Sequence, residues 1–171
     1  MKKKKKIAGV LSSQEILELI NKNVITSENG IEKDLIQPAS IDLRLGIKAW
    51  RVPASFLPGK GHKVSSRLKD LAMHEFSLID GAVLECGCVY IVKLLENISL
   101  TDNLTGIANP KSSTGRLDVF TRLIVDGAME FEEVPVGYQG PLYAEISPRT
   151  FSVLVRTGSR LNQLRLRSCL L

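Results

Sequence analysis

The sequence contains few of the residues that mark secreted, disulfide-bonded or membrane proteins. Only three of its 171 residues are cysteine, and Cys86, Cys88 and Cys169 are an odd number, which argues against a disulfide framework. No stretch approaches the about 18 consecutive apolar residues of a transmembrane helix. The apolar residues 7–11 are also fewer than the roughly seven to 15 of a signal-peptide core. We therefore expect a cytoplasmic protein that does not associate with membranes.

An excess of charge of one sign is also missing from the body of the chain. The net charge is +5, but residues 2–6 supply five of the 23 Lys and Arg residues, which leaves 18 against 18 Asp and Glu. A protein that binds a polynucleotide needs a basic face on its folded part. The sequence therefore predicts no nucleic-acid partner, and it predicts that residues 1–6 form a disordered lysine-rich tail.

Composition and helical spacing predict a single domain over residues 7–171 with short helices near its N-terminus. The chain is 44% apolar, which is enough to bury a core at this length. Ser12 and Glu15 have the spacing of a capping box, so a helix is expected over residues 13–22. A second helix is expected over residues 66–73.

The rest of the chain shows the short apolar runs of a mainly β protein. Residues 41–45 alternate as a strand that Gly46 ends. Further runs separated by turn residues lie at 82–84, 89–95, 104–108, 119–125, 142–147, 151–155 and 161–166. Regular short strands of this kind favour a β-barrel, sandwich or jelly roll.

Residues 111–116 have the composition of an anion-binding loop. Hydroxyl groups, a flexible glycine and two cations are what a loop needs to hold phosphate oxygens. A solvated surface turn is the alternative interpretation. About thirty positions later, Glu145 stands among Leu142, Ala144 and Ile146, on the opposite face of the expected strand. It is either a general acid or base or a salt-bridged strand residue.

Three segments together resemble the dCTP deaminase branch of the dUTPase-like superfamily. They are residues 37–46, residues 111–116, and residues 137–140 with the strand that ends at Glu145. Residues 39–45 and 148–151 are similar to the first unit of the longer, tandem form of this family. The resemblance implies a distorted jelly roll or β-barrel that forms a homotrimer with active sites between subunits. It also implies that the family's C-terminal closing segment is missing from residues 7–171.

The resemblance implies hydrolytic deamination of dCTP to dUTP and ammonia. Glu145 would take a proton from water and return it to the base and the leaving amine, and Ser112 would orient the water with a backbone carbonyl near Val125. General acid–base catalysis of this kind contributes roughly 10²- to 10⁴-fold. The residues expected to bind the nucleotide are Lys111, Ser113 and Arg116 at the phosphates, Val125, Asp126 and Gly127 at the base, and Tyr138.

The expected cofactor is Mg²⁺ bound through the triphosphate, with no catalytic zinc. A magnesium ion on a nucleotide keeps several waters and needs few dedicated carboxylates. Zinc deaminases instead carry an H-x-E and a P-C-x-x-C signature. His62 and His74 are not in the first context, and Cys86 and Cys88 have the wrong spacing for the second.

Two other functions stay open from the sequence. One is a dUTPase or a bifunctional deaminase and dUTPase, although Pro135 stands near the place where dUTPases have a water-activating Asp. The other is a truncated, non-catalytic half or a nucleotide-binding subunit. The role of Asp42 is also open, because it could belong to the intersubunit site or be a cross-strand partner of Arg44.

Overall fold

The computed structural model describes residues 8–169 as a mainly β fold with three short α-helices. The helices are α1 Ser13–Asn21, α2 Val64–Leu71 and α3 Ser112–Arg116, with a 3₁₀ turn at Lys33–Leu35. The strands of this part of the chain are β1 Gly9–Val10, β2 Ile25–Ser27, β3 Ile36–Gln37, β4 Ser40–Val52, β5 His74–Ser77, β6 Ala82–Leu84, β7 Val89–Ser99, β8 Leu104–Pro110, β9 Val119–Val125, β10 Glu133–Val134, β11 Gln139–Pro148, β12 Val153–Val155 and β13 Arg160–Ser168.

One antiparallel sheet runs in the order β10-β8-β13-β4-β7-β11-β9, and β6 and β12 form a separate ribbon. The two ends of the sheet meet at Glu132. Its N–H donates to the carbonyl of Leu123 on β9 at 3.0 Å, and its carbonyl accepts from Ala108 on β8 at 2.8 Å. These two bonds join the ends of the sheet into a nearly closed barrel, which confirms the predicted architecture.

Strand β4 differs from the prediction in its burial and in its length. Its polar residues Asp42 and Arg44 are buried along with the apolar residues that alternate with them, Ile41, Leu43 and Leu45. Arg44 reaches Glu96 on β7, with 2.7 Å between Nε and Oε1. The interpretation of Asp42 as a partner of Arg44 is therefore wrong. Alternating polar and apolar residues usually indicate a strand with one face exposed to solvent. In β4 the polar face is buried as well, because Arg44 forms an ion pair there.

Gly46 does not end this strand, as the sequence suggested, but lies inside it. A Cβ at this position would come within 2.4 Å of the carbonyl oxygen of Lys93 on β7. The glycine is required because the two backbones approach too closely for any side chain. The pairing between β4 and β7 is irregular at this point, and its register shifts between Leu45 and Ala49.

The predicted helices are confirmed within a few residues. Ser12 and Glu15 form both bonds of a capping box at the start of α1, which ends one residue before the predicted boundary. Helix α2 begins two residues earlier than expected and ends at Leu71. Helix α3 was not predicted, and it lies in mid-chain where an open loop was expected. The predicted lysine-rich tail of residues 1–6 lies outside the described residues.

Candidate functional site

The predicted phosphate loop is a single helical turn fixed to strand β13. The backbone N–H of Lys111 donates to the carbonyl of Leu161 at 2.8 Å, and the hydroxyl of buried Thr114 donates to the same carbonyl at 3.0 Å. These bonds hold the turn while Ser112, Ser113 and Arg116 remain exposed. Ser113 and Arg116 carry the hydroxyl and cationic groups predicted to bind phosphates, and Ser112 carries the hydroxyl predicted to orient the water.

A cavity of about 410 Å³ lies beside this turn. Its lining combines basic, amide and hydroxyl groups with one carboxylate, and consists of Gln37, Pro38, Ala39, Ser40, Asp42, Lys111, Ser112, Gln163 and Arg165. The ammonium of Lys111 forms an ion pair with Asp42. The second carboxylate oxygen of Asp42, Oδ1, is buried and has no hydrogen-bond partner among the described residues. This opening has the donors and the size for part of an anionic ligand.

Glu145 lies in the middle of β11 and is only 1% exposed. Its Oε1 accepts from Nη2 of Arg122 at 2.8 Å and from Nε of the same guanidinium at 3.2 Å. Its Oε2 accepts from the hydroxyl of Ser55 at 2.6 Å. Glu145 thus lies on the face predicted for it, yet it is buried there as an ion-paired carboxylate.

Arg122 is held in place by aromatic rings as well as by Glu145. The guanidinium carbon lies 3.5 Å from the ring centre of Phe131 and 4.8 Å from that of Phe120. Its Nη2 also donates to the hydroxyl of Ser55 at 2.7 Å. Cation–π contacts and two hydrogen-bond partners restrict a side chain that would otherwise be free to rotate. The ion pair with Glu145 is therefore well oriented.

A second acidic group, Glu132, lies close to this ion pair. Burial raises the pKa of Glu132 to about 7, against a smaller lowering by the backbone amide of Leu123 and by the charge of Arg122. The negative charge of Glu145 adds to the rise. The Oε2 atom of Glu132 is buried with no hydrogen-bond partner among residues 8–169. The cluster therefore contains one ion-paired and one poorly solvated carboxyl group.

The predicted base-binding residues 125–127 form a turn whose polar groups bond to neighbouring segments of the same chain. Oδ1 of Asp126 accepts from the backbone N–H of Val64, at the start of α2, at 2.8 Å. The hydroxyl of Tyr138 accepts from the N–H of Asp126 at 3.2 Å and donates to the carbonyl of Pro141 at 2.6 Å. Val125 is fully buried, and the N–H of Gly127 donates to the carbonyl of His62 at 2.8 Å.

The predicted site residues therefore lie in two separate groups, one at the cavity beside residues 111–116 and one around Glu145 on β11. Lys111 and Ser112 line the cavity, and Glu145 is not among the residues that line it. Sequence reasoning missed Arg122, Ser55 and Glu132. Arg122 carried a signal, because it is the one charged residue of the apolar run 119–125, as Glu145 is of 142–147. Ser55 and Glu132 had no comparable local signal.

The ligand-forming side chains of residues 8–169 do not cluster as a metal site would require. This part of the chain contains no group of three or more His, Cys, Asp or Glu side chains that could hold a metal ion. No helix in the same range is both long enough and apolar enough to cross a membrane.

Comparison with solved structures finds a close relative of this chain. It is 2'-deoxycytidine 5'-triphosphate deaminase from Agrobacterium tumefaciens, with a TM-score of 0.92 and 53% identity over 95% of this chain. The chain spans 49% of that protein's length. A dUTPase of Staphylococcus bacteriophage 80alpha matches with a TM-score of 0.43 and 15% identity, over 53% of this chain and 72% of that one.

A match to a family model assigns the chain to a protein family. Residues 7–169 match the model of the 2'-deoxycytidine 5'-triphosphate deaminase N-terminal domain, which covers nearly the whole sequence. The same residues contain the predicted phosphate loop, the cavity beside it and the Arg122–Glu145 ion pair. The chain belongs to the dCTP deaminase family and corresponds to its N-terminal domain.

Proposed function

We propose that this chain carries out the hydrolytic deamination of dCTP to dUTP and ammonia. The observation that supports it most is the buried carboxylate of Glu145, oriented by Arg122 and Ser55, in a chain of this family. Deamination requires a group that moves a proton from water to the base and to the departing amine. A carboxylate at a partly desolvated position is suited to that exchange.

In the proposed reaction, Glu145 takes a proton from water as the oxygen bonds to C4 of cytosine. It passes this proton to N3 of the ring, then takes the second proton of the added oxygen and gives it to the amine as the bond from C4 to the amine breaks, so that ammonia leaves and a carbonyl remains. Ser112 orients the water through its hydroxyl. Arg122 and Ser55 fix the direction of the Glu145 carboxylate, which limits the rotation that would misalign the proton transfer.

The triphosphate is proposed to bind at residues 111–116, with Lys111, Ser113 and Arg116 as donors. Each charge-assisted hydrogen bond contributes about 1.5–3 kcal/mol. A magnesium nucleotide fits the adjoining cavity, since the unpartnered Oδ1 of Asp42 is a hard oxygen ligand of the kind Mg²⁺ prefers. Bound Mg²⁺ would reduce the negative charge of the triphosphate.

The complete site is proposed to form between subunits of a homotrimer. Support comes from the separation of the residues within one chain, because Glu145 does not line the cavity that Lys111 and Ser112 share. A neighbouring subunit would bring the phosphate loop of one chain towards Glu145 of another. Val125, Asp126, Gly127 and Tyr138 are proposed to contact the nucleotide beside Glu145.

A product assay with both nucleotides tests this function. The purified chain is incubated with dCTP or with dUTP in the presence of Mg²⁺, and nucleotides, ammonia and pyrophosphate are measured separately. Equal amounts of dUTP and ammonia from dCTP support the proposal. Pyrophosphate and dUMP from dUTP would favour a dUTPase or a bifunctional enzyme. Binding of dCTP without any product would favour a nucleotide-binding subunit.

A further inference from the structure

The backbone at Glu132 holds an unfavourable conformation next to the proposed catalytic carboxylate. Its φ of 69° lies in the left-handed region, which is uncommon for residues other than glycine, asparagine and aspartate. Hydrogen bonds to Leu123 and from Ala108 fix it from both sides. Conformations of this kind are strained and concentrate at functional sites. The fixed backbone also fixes the direction in which the Glu132 side chain leaves the seam of the barrel.

The neighbours of Glu132 place this residue beside the Arg122–Glu145 ion pair. The N–H of Glu132 donates to the carbonyl of Leu123, which follows Arg122 on β9. Phe131, the residue before Glu132, stacks on the guanidinium of Arg122 at 3.5 Å. The carboxyl keeps one oxygen, Oε2, buried and unpartnered within the described residues. The charged groups that act on this carboxyl are Arg122 of β9 and Glu145 of β11.

We propose that Glu132 is a positioning residue that controls how Arg122 holds Glu145. When Glu132 is neutral, Glu145 is the one carboxylate of this cluster that pairs with Arg122. With Glu132 ionised, two carboxylates compete for one guanidinium, and the orientation of Glu145 is lost. This inference rests on the proposed deamination for its effect on turnover, but the competition for Arg122 can be measured without any activity.

The two protonation states exchange in the range where the protein would work. Because burial raises the pKa of Glu132 to about 7, the neutral form predominates below that pH and the ionised form above it. Deamination should therefore fall as the pH rises through this value. The fall should be in kcat and not in KM, since the charge of Glu132 acts on Arg122 and Glu145 and Glu132 is not proposed to contact dCTP. Between about pH 6 and 8 the neutral fraction of such a group changes about ten-fold.

The activity test compares the pH dependence of kcat for dCTP in the wild type, Glu132→Gln and Glu133→Gln. An amide side chain cannot ionise, so kcat of the Glu132→Gln variant should no longer decline around pH 7. The exposed neighbour Glu133 serves as the matched control, and kcat of the Glu133→Gln variant should still decline. A decline that persists unchanged in Glu132→Gln overturns the proposal. So does the loss of the same decline in Glu133→Gln.

A nuclear magnetic resonance titration separates this inference from the proposed function. The Nε resonance of Arg122 is followed against pH in protein labelled with ¹⁵N-arginine. A shift with a midpoint near pH 7 in the wild type that vanishes in Glu132→Gln supports the competition, even if the chain deaminates nothing. A resonance that does not move in the wild type overturns it. If Glu132→Gln fails to fold, Glu132→Asp takes its place, and an unchanged midpoint overturns the proposal.

Discussion

Arg122 and Glu145 are directly opposite residues on the adjacent strands β9 and β11, and their side chains form an ion pair between Nη2 and Oε1 at 2.8 Å. Residues that pair across an antiparallel sheet have fixed Cβ separations. The distance between guanidinium and carboxylate is therefore set by the sheet and not by a flexible loop. A carboxylate placed in this way keeps its position when the surrounding loops move.

Replacing Glu145 by Gln should reduce dCTP deamination about 10²-fold or more, because the amide retains the shape but cannot accept a proton. Binding of dCTP should change little. Ammonia release and equilibrium binding measure the two effects separately. Glu75→Gln is the control, since Glu75 is also an ion-paired strand residue but is exposed and pairs with Lys48. Turnover above a tenth of the wild-type value would remove Glu145 from the acid–base role.

Arg116→Ala should weaken binding of dCTP about 10- to 100-fold, which corresponds to the loss of one charge-assisted bond. Binding of deoxycytidine should be unaffected, because the exposed guanidinium is assigned to the phosphates. Isothermal titration of both ligands checks this difference. Arg167→Ala provides a control at another exposed arginine, which does not line the cavity. Equal weakening of the two ligands would contradict the assignment.

Withholding Mg²⁺ should lower deamination, whereas a zinc-selective chelator should not. Magnesium is proposed to serve the triphosphate, and the attacking water is proposed to be activated by Glu145. The rate of ammonia release is measured in metal-depleted buffer with and without added Mg²⁺, alongside elemental analysis of the protein. One zinc per chain, with activity lost on its removal, would exclude the Glu145 mechanism.

Gly46→Ala should lower the free energy of unfolding by about 1–3 kcal/mol, the usual cost of forcing an additional carbon into a filled interior. The new Cβ would come within 2.4 Å of the Lys93 carbonyl, so β4 and β7 would have to separate. Gly9→Ala is the control, since nothing lies within 4 Å of a Cβ at that position. Chemical denaturation of both variants provides the comparison. Equal stability of the two would show that the strands can move apart at little cost.

The stability of the wild type relative to Glu132→Gln should fall as the pH rises from about 4.5 to about 7. The pKa of Glu132 is raised from 4.5 to about 7 in the folded state. Its favourable contribution is therefore complete below the unfolded pKa and is lost as the pH passes the folded pKa. Above about pH 7 the difference should level off. Denaturant titrations across this range test the direction, and a rise in relative stability would refute it.

Local signals predicted the regular parts of the fold well. The Ser12–Glu15 spacing identified the start of α1 because a capping box involves only neighbouring backbone groups. The apolar runs 82–84 and 119–125 coincide with β6 and β9, because turn residues mark both of their ends. Gly46 was misinterpreted because glycine ends many strands, and only the approach of Lys93 from a distant strand shows why it is needed inside this one.

The candidate site was predicted only where residues matched a family pattern. Residues 111–116 and Glu145 could be identified in this way, and their roles in binding and catalysis stay predictions. Arg122, Ser55 and Glu132 could not be found because their contacts join distant segments of the chain. Ser55 and Glu145 are separated by 90 positions. The raised pKa of Glu132 depends on burial at the barrel seam, which the residue type does not reveal.

The position of β11 between β7 and β9 has a consequence for the dynamics of Glu145. The residue is paired with Ile91 on one side and Arg122 on the other, so neither edge of its strand is free. Local opening events, which release loops and frayed ends at little cost, would leave this strand closed. Amide hydrogen exchange in the centre of β11 should thus require global unfolding. Thermal inactivation through displacement of Glu145 should accordingly coincide with cooperative melting of the domain.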